Sequence, residues 1–149
     1  VVVGRVEAGS FREVSDLDQR EPLKMQVPED ARFPNARVLI FEASGDSMNA
    51  LQRQPIMEGS LLVCVAYEDI AQEYPVRTGM VVVVERTRDG GHLREWSVKQ
   101  VELGEDRIEF HPRSTNPRHE PIVIDRDPHA DTGTNVQIIA LVRRVMTDI

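Results

Sequence analysis

Two short segments carry residue types that can do chemistry together: Ser44-Gly-Asp-Ser-Met48 and Trp96-Ser-Val-Lys99. They suggest a serine nucleophile, Ser47, served by a lysine base, Lys99. A serine hydroxyl is a poor nucleophile at neutral pH and needs a base within hydrogen-bond reach. Lysine serves as that base only when it has lost its proton, and burial, which disfavours the ammonium, is what removes it. A third segment, Val3-Gly-Arg-Val-Glu-Ala-Gly9, offers the pair a peptide bond to cut. An enzyme that carries its own substrate acts once and then stops, which makes it a switch.

Histidine is the more usual base, and the chain has four: His92, His111, His119 and His129. None has the setting of a triad partner. His92 falls in a turn, His111 closes a strand, His119 lies in Pro-Arg-His-Glu-Pro and His129 in an Asp/Pro-rich loop, so all four are expected at the surface. No two of them have the i, i+4 spacing of a metal pair with a third ligand nearby, so no metal site is expected.

Lys99 differs. Strand alternation over Leu93 to Leu103 puts Leu93, Glu95, Ser97, Lys99 and Val101 on one face, and a lysine between Val98 and Val101 is open to desolvation. The competing reading is a lysine whose stem lies along an amphipathic strand with its amine in water. Gly45 permits a tight turn before Ser47, and the backbone amides of Asp46, Ser47 and Met48 are candidates to bind an oxyanion. The competing reading there is an ordinary turn in which the Asp46 carboxylate caps the amides that follow.

These residues need a scaffold, and the apolar runs describe one. Short β-branched stretches bounded by Gly, Pro and Asp run over Val1–Val6, Val38–Ala43, Ser60–Ala66, Met80–Arg86, Leu93–Leu103, Arg107–His111, Pro121–Ile124 and Val136–Met146. That pattern predicts a mostly β domain, a barrel or folded sheet with few short helices. Asp89-Gly-Gly91 and Gly104-Glu-Asp106 read as hairpin turns. One helical turn is expected after Asp46 and another short helix near Tyr67–Glu73. Residues 10–35 form a polar, Pro-containing connector. The domains are therefore read as 1–35, the segment to be cut with its connector, and 36–149, the body.

The chain has 149 residues, enough for one domain with a real core. Its formal net charge of −7 argues against a phosphate-gripping surface and against anionic membranes. No apolar run approaches the roughly 20 residues that span a bilayer. The single cysteine, Cys64, rules out an internal disulfide, suits a reducing cytoplasm and reads as a buried hydrophobe. The start at Val1 reads as the start of a fragment.

Taken in order, the motifs resemble the LexA-type self-cleaving repressors of the peptidase S24 family, a group that includes phage repressors and UmuD-type polymerase accessory proteins. Phe41-Glu-Ala-Ser-Gly-Asp-Ser-Met48 resembles the nucleophile motif. Pro55-Ile-Met-Glu-Gly-Ser-Leu-Leu-Val63 resembles the strand that follows, with Glu58 and Ser60 in place of aspartates. Thr78-Gly-Met-Val-Val-Val83, Ser97-Val-Lys-Gln-Val101, Asn116-Pro-Arg-His-Glu-Pro-Ile-Val123 and Val136 to Val145 resemble the later motifs.

The resemblance implies a LexA/signal-peptidase-like fold, Ser47 as nucleophile, Lys99 as neutral general base and Ala8-Gly9 as the scissile bond. Small residues suit that bond, since Ala8 enters a shallow pocket and Gly9 lets the backbone bend. It implies no cofactor, a homodimer, a RecA–DNA filament as the trigger in the SOS response to DNA damage, and DNA contact only through an upstream helix-turn-helix domain. The Ser47-to-Lys99 interval is longer than in compact members, which favours a phage-repressor-like or other regulator branch over LexA itself. A UmuD-like self-processing protein, or a catalytically silent dimerisation or ligand-sensing module, is the alternative. The closing strand Val136–Val145 is a candidate pairing edge, or else an internal strand.

Overall fold

The computed structural model describes residues 2–6, 12–13, 28–125 and 134–147, with side chains from 28–125 and 135–147. Nine strands form one sheet: β1 Val2–Val6, β2 Arg12–Glu13, β3 Val38–Ala43, β4 Leu61–Ala66, β5 Val81–Arg88, β6 Leu93–Leu103, β7 Arg107–His111, β8 Ile122–Asp125 and β9 Thr134–Met146. Their order is β1-β3-β4-β9-β5-β6-β7-β8, with β2 pairing β6 off that path. All pairings are antiparallel except β1 with β3. β1 also approaches β6, five places along the sheet, so the sheet curls round on itself as a folded β domain requires. Single turns of 3-10 helix at Tyr67–Asp69 and Asp89–Gly91 are the only helical elements among the described residues.

The four-valine run Val81 to Val84 shows why the sheet is stable. Alternate side chains point to opposite faces, and an unbroken apolar run is stable only where both faces are covered. Val83 enters a cluster with Phe41, Met48, Leu62, Cys64 and Val98. Val82 and Val84 enter a second cluster with Phe33, Val65, Val101, Phe110 and Leu141 on the other side. Phe41 meets Trp96 edge to face at 5.8 Å, a contact worth about 0.5–1.5 kcal/mol beyond its area. Cys64 is fully buried and its thiol pKa is pushed up by burial, as expected of a small hydrophobe.

Hairpins join β5 to β6 and β6 to β7 at the two predicted turns, with Gly90 and Gly91 at φ of 65° and 93° in the first. The short helix near Tyr67 is shorter than expected, ending at Asp69. The closing strand is not an edge. β9 lies between β4 and β5, paired with both, so the internal-strand alternative is the one the fold adopts. Two parts of residues 10–35 engage the body: β2 pairs with β6, and Phe33 is buried in the second cluster. No helix among the described residues is long and apolar enough to cross a membrane.

Candidate active site

Lys99 stands near the middle of β6, where Val82 of β5 is its register partner. Val84 opposes Ser97 and Arg86 opposes Glu95, so one face of the β5–β6 pair carries an ion pair, a serine and a lysine above two fully buried valines. Glu95, Ser97 and Lys99 are all buried, Lys99 being 4% exposed, which excludes a side chain that reaches out to solvent. Burial is the main reason the Lys99 pKa falls to about 8. The nearby Glu95 carboxylate opposes the fall and the Arg86 guanidinium reinforces it. Arg86 grips Glu95 through both carboxylate oxygens at 2.7 Å, which reduces how far Glu95 can hold the proton on the lysine. The Ser97 hydroxyl is buried without a hydrogen-bond partner among the described residues.

Ser47 is 4% exposed and sits in the turn that follows β3. Gly45, at φ +82°, supplies the left-handed residue that turns the chain, and Met48 anchors the turn in the first core cluster beside Val98, the residue before Lys99. The turn is held by the loop after β7. The Arg113 amide donates to the Ser47 carbonyl at 2.8 Å, and the Ala50 amide donates to the Arg113 carbonyl at 2.7 Å. Thr115 and Asn49 bond each other three times: the Thr115 amide and hydroxyl donate to the Asn49 side-chain carbonyl at 3.0 and 3.5 Å, and the Asn49 side-chain amide donates to the Thr115 hydroxyl at 3.2 Å.

Asp46 does not cap the turn as predicted. Its carboxylate is taken by His119 at 2.5 Å and by the Asn116 side-chain amide at 3.3 Å, and the His119 contact is the main cause of its lowered pKa. His119 is therefore half-buried against the nucleophile turn rather than at the surface, and His111 is half-buried as well, 3.1 Å from Glu102. His92 is exposed as expected. His129 lies outside the described residues.

The structure thus buries both Ser47 and Lys99, but the Ser47 hydroxyl and the Lys99 amine are not hydrogen-bonded to each other in this arrangement. The Ala8-Gly9 bond lies outside the described residues, but both of its flanks are paired. β1 ends with Val6 beside Ala43, four residues before Ser47, and β2 places Arg12 beside Arg94 on the strand of Lys99. The amides of Ser47 and Met48 donate to no backbone carbonyl among the described residues, whereas that of Asn49 turns back to Asp46.

Spacing did not reveal one further group. Glu102, Glu109 and His111 bring ligand-type atoms within 4.8 Å of one another across β6 and β7. Arg113 already occupies Glu102 at 2.8 Å, so that carboxylate is committed to a guanidinium. The group could be seen only with the strand register in hand, because Glu102 pairs directly with Glu109.

A family model described as Peptidase S24-like matches residues 1–143. No curated protein matches the chain.

Proposed function

The chain belongs to the Peptidase S24-like family, and from that premise we propose that it is a self-cleaving peptidase domain in which Ser47 attacks the Ala8-Gly9 bond with neutral Lys99 as its base. The observation that carries this reading is the placement of the two flanks. One pairs with the strand that leads into Ser47 and the other with the strand that bears Lys99. A substrate tethered between nucleophile and base needs no diffusional encounter, which is the advantage of intramolecular attack.

In this mechanism Lys99 takes the Ser47 proton as Oγ attacks the Ala8 carbonyl carbon. The developing oxyanion is held by backbone amides of the Asp46–Met48 turn. The same lysine, now an ammonium, protonates the departing Gly9 nitrogen. Water then attacks the acyl-enzyme on Ser47, again with Lys99 as base, and releases the new carboxyl terminus at Ala8. The lowered lysine pKa supports this role, since at pH near 8 an amine with a pKa of about 8 is neutral about half the time. The hydroxyl and amine must come together for the first step.

The wider setting follows the family resemblance: a dimerising, self-cleaving domain of a repressor whose DNA-binding head lies upstream, triggered by a RecA–DNA filament. Cutting would separate two linked heads and weaken operator binding. The test is the intact mass of the purified chain over hours, at several concentrations, beside Ser47→Ala. A new amino terminus at Gly9, formed at a rate independent of concentration and absent in the variant, supports the reading. Cleavage elsewhere, or cleavage that survives Ser47→Ala, overturns it.

A further inference from the structure

We propose that Arg113 is a positioning residue that registers the Ser47 turn against the strand of Lys99, an inference that rests on the Ser47/Lys99 reading above. No short motif marks Arg113, and it has no place in the chemistry. Its backbone binds the nucleophile turn on both sides, donating to the Ser47 carbonyl and accepting from Ala50. Its side chain reaches the other way. Nε donates to Gln100 at 2.8 Å and the guanidinium donates to Glu102 at 2.8 Å, on the residues one and three places beyond Lys99. Gln100 is in turn tied to the Gly79 carbonyl at 3.2 Å, so the anchor is not a free side chain.

Ser47 and Lys99 come from strands four places apart in the sheet, β3 and β6, so no ladder hydrogen bond sets their separation. Arg113 ties the turn of one to the strand of the other by hydrogen bonds. The planar fork of arginine reaches two acceptors at once and so fixes an orientation as well as a distance. Attack by a serine on a carbonyl tolerates little misplacement, about 1 Å costing as much as a hundred-fold in rate. The role is geometric. The charges that move the Lys99 pKa are those of Glu95 and Arg86, and Arg113 is not among them.

Arg113→Met, which keeps the bulk and removes both side-chain bonds, separates this role from others. Its rate of self-cleavage on the high-pH plateau is expected to fall about ten- to hundred-fold with the midpoint of the rate–pH curve unchanged, and Arg113→Lys is expected to recover part of the loss by reaching one acceptor. Glu102→Gln combined with Arg113→Met should add little to the single change, since both cut the same tie. An unchanged plateau, or a loss that appears as a shifted midpoint, overturns the proposal. Amide hydrogen exchange at Ala50, read in a Ser47→Ala background, tests the tie without catalysis. Faster exchange with Met at 113 is expected, and unchanged exchange overturns the proposal. If the unmodified chain does not cut unaided, the exchange result alone decides whether Arg113 holds the turn.

Discussion

Lys99 lies within the continuous β5–β6 ladder, the β6–β7 ladder begins at the next residue, Gln100, and the register partner of Lys99 is a valine with no exposure. Ser47 lies in a turn with no ladder at all. Its position depends on Gly45, on the burial of Met48, and on bonds from a loop that follows it by more than sixty residues in sequence. A base needs an environment, and a sheet interior supplies one without special residues. A nucleophile needs a position, and a turn obtains one only from contacts made at long range.

The sharpest separation of the two regions comes from deleting each functional group. Ser47→Ala is expected to slow self-cleavage by about a thousand-fold or more, with thermal stability almost unchanged because the hydroxyl it removes has no charged partner. Lys99→Met should abolish cleavage to a similar degree but raise stability at neutral pH. The sign follows from the protons bound. With a folded pKa of about 8 against an ordinary 10.5, the unfolded chain binds more protons between those values. The lysine therefore destabilises the fold below about pH 8, and that cost is relieved as pH climbs towards 10.5. Denaturant melts of both proteins at pH 7 and 10 check this. The methionine variant should lead at pH 7, by no more than a few kcal/mol, and the gap should close at pH 10.

A subtler change probes the field around the base alone. Glu95→Gln removes the carboxylate that favours the Lys99 ammonium, and leaves Arg86 nearby to oppose it. The midpoint of the rate–pH curve should move down, and cleavage at pH 7 should rise several-fold if the fold tolerates a half-paired Arg86. An upward movement would break the assignment of that midpoint to Lys99. The smallest effect belongs to the turn. A Cβ at Gly45 meets nothing within 4 Å, so Gly45→Ala feels only the strain of φ +82°. A loss of about 1 kcal/mol in a urea titration is expected.

The same contrast governs what could be read from the residues. β3, β6 and β7 begin and end where the β-branched runs do, because strand bounds are local and turn residues mark them. The burial of Lys99 was only half legible: its place between Val98 and Val101 left desolvation and a solvent-reaching amine both open, and the β5 register that sets Val82 opposite it decides for burial. The partner of Asp46 was not legible. A carboxylate before a turn has a local option, capping, and it loses here to His119 and Asn116, more than seventy positions away in the case of His119. Arg113 lacked any pattern for the same reason, since its partners on β6 become neighbours only through the β6–β7 hairpin. The interior place of β9 was one of two readings that the residues left open. A strand that alternates apolar and polar residues looks half-exposed, and only the pairing of β4 and β5 with it settles the matter.

The rate of self-cleavage as a function of pH, with the new terminus identified by mass, tests the central claim most directly. The account predicts a fragment starting at Gly9 whose rate rises through a single midpoint near 8, the value burial gives Lys99, and then levels off. A rate that does not change between about pH 7 and 10, or that keeps rising to the ordinary lysine value, would contradict a buried, neutral Lys99 as the base.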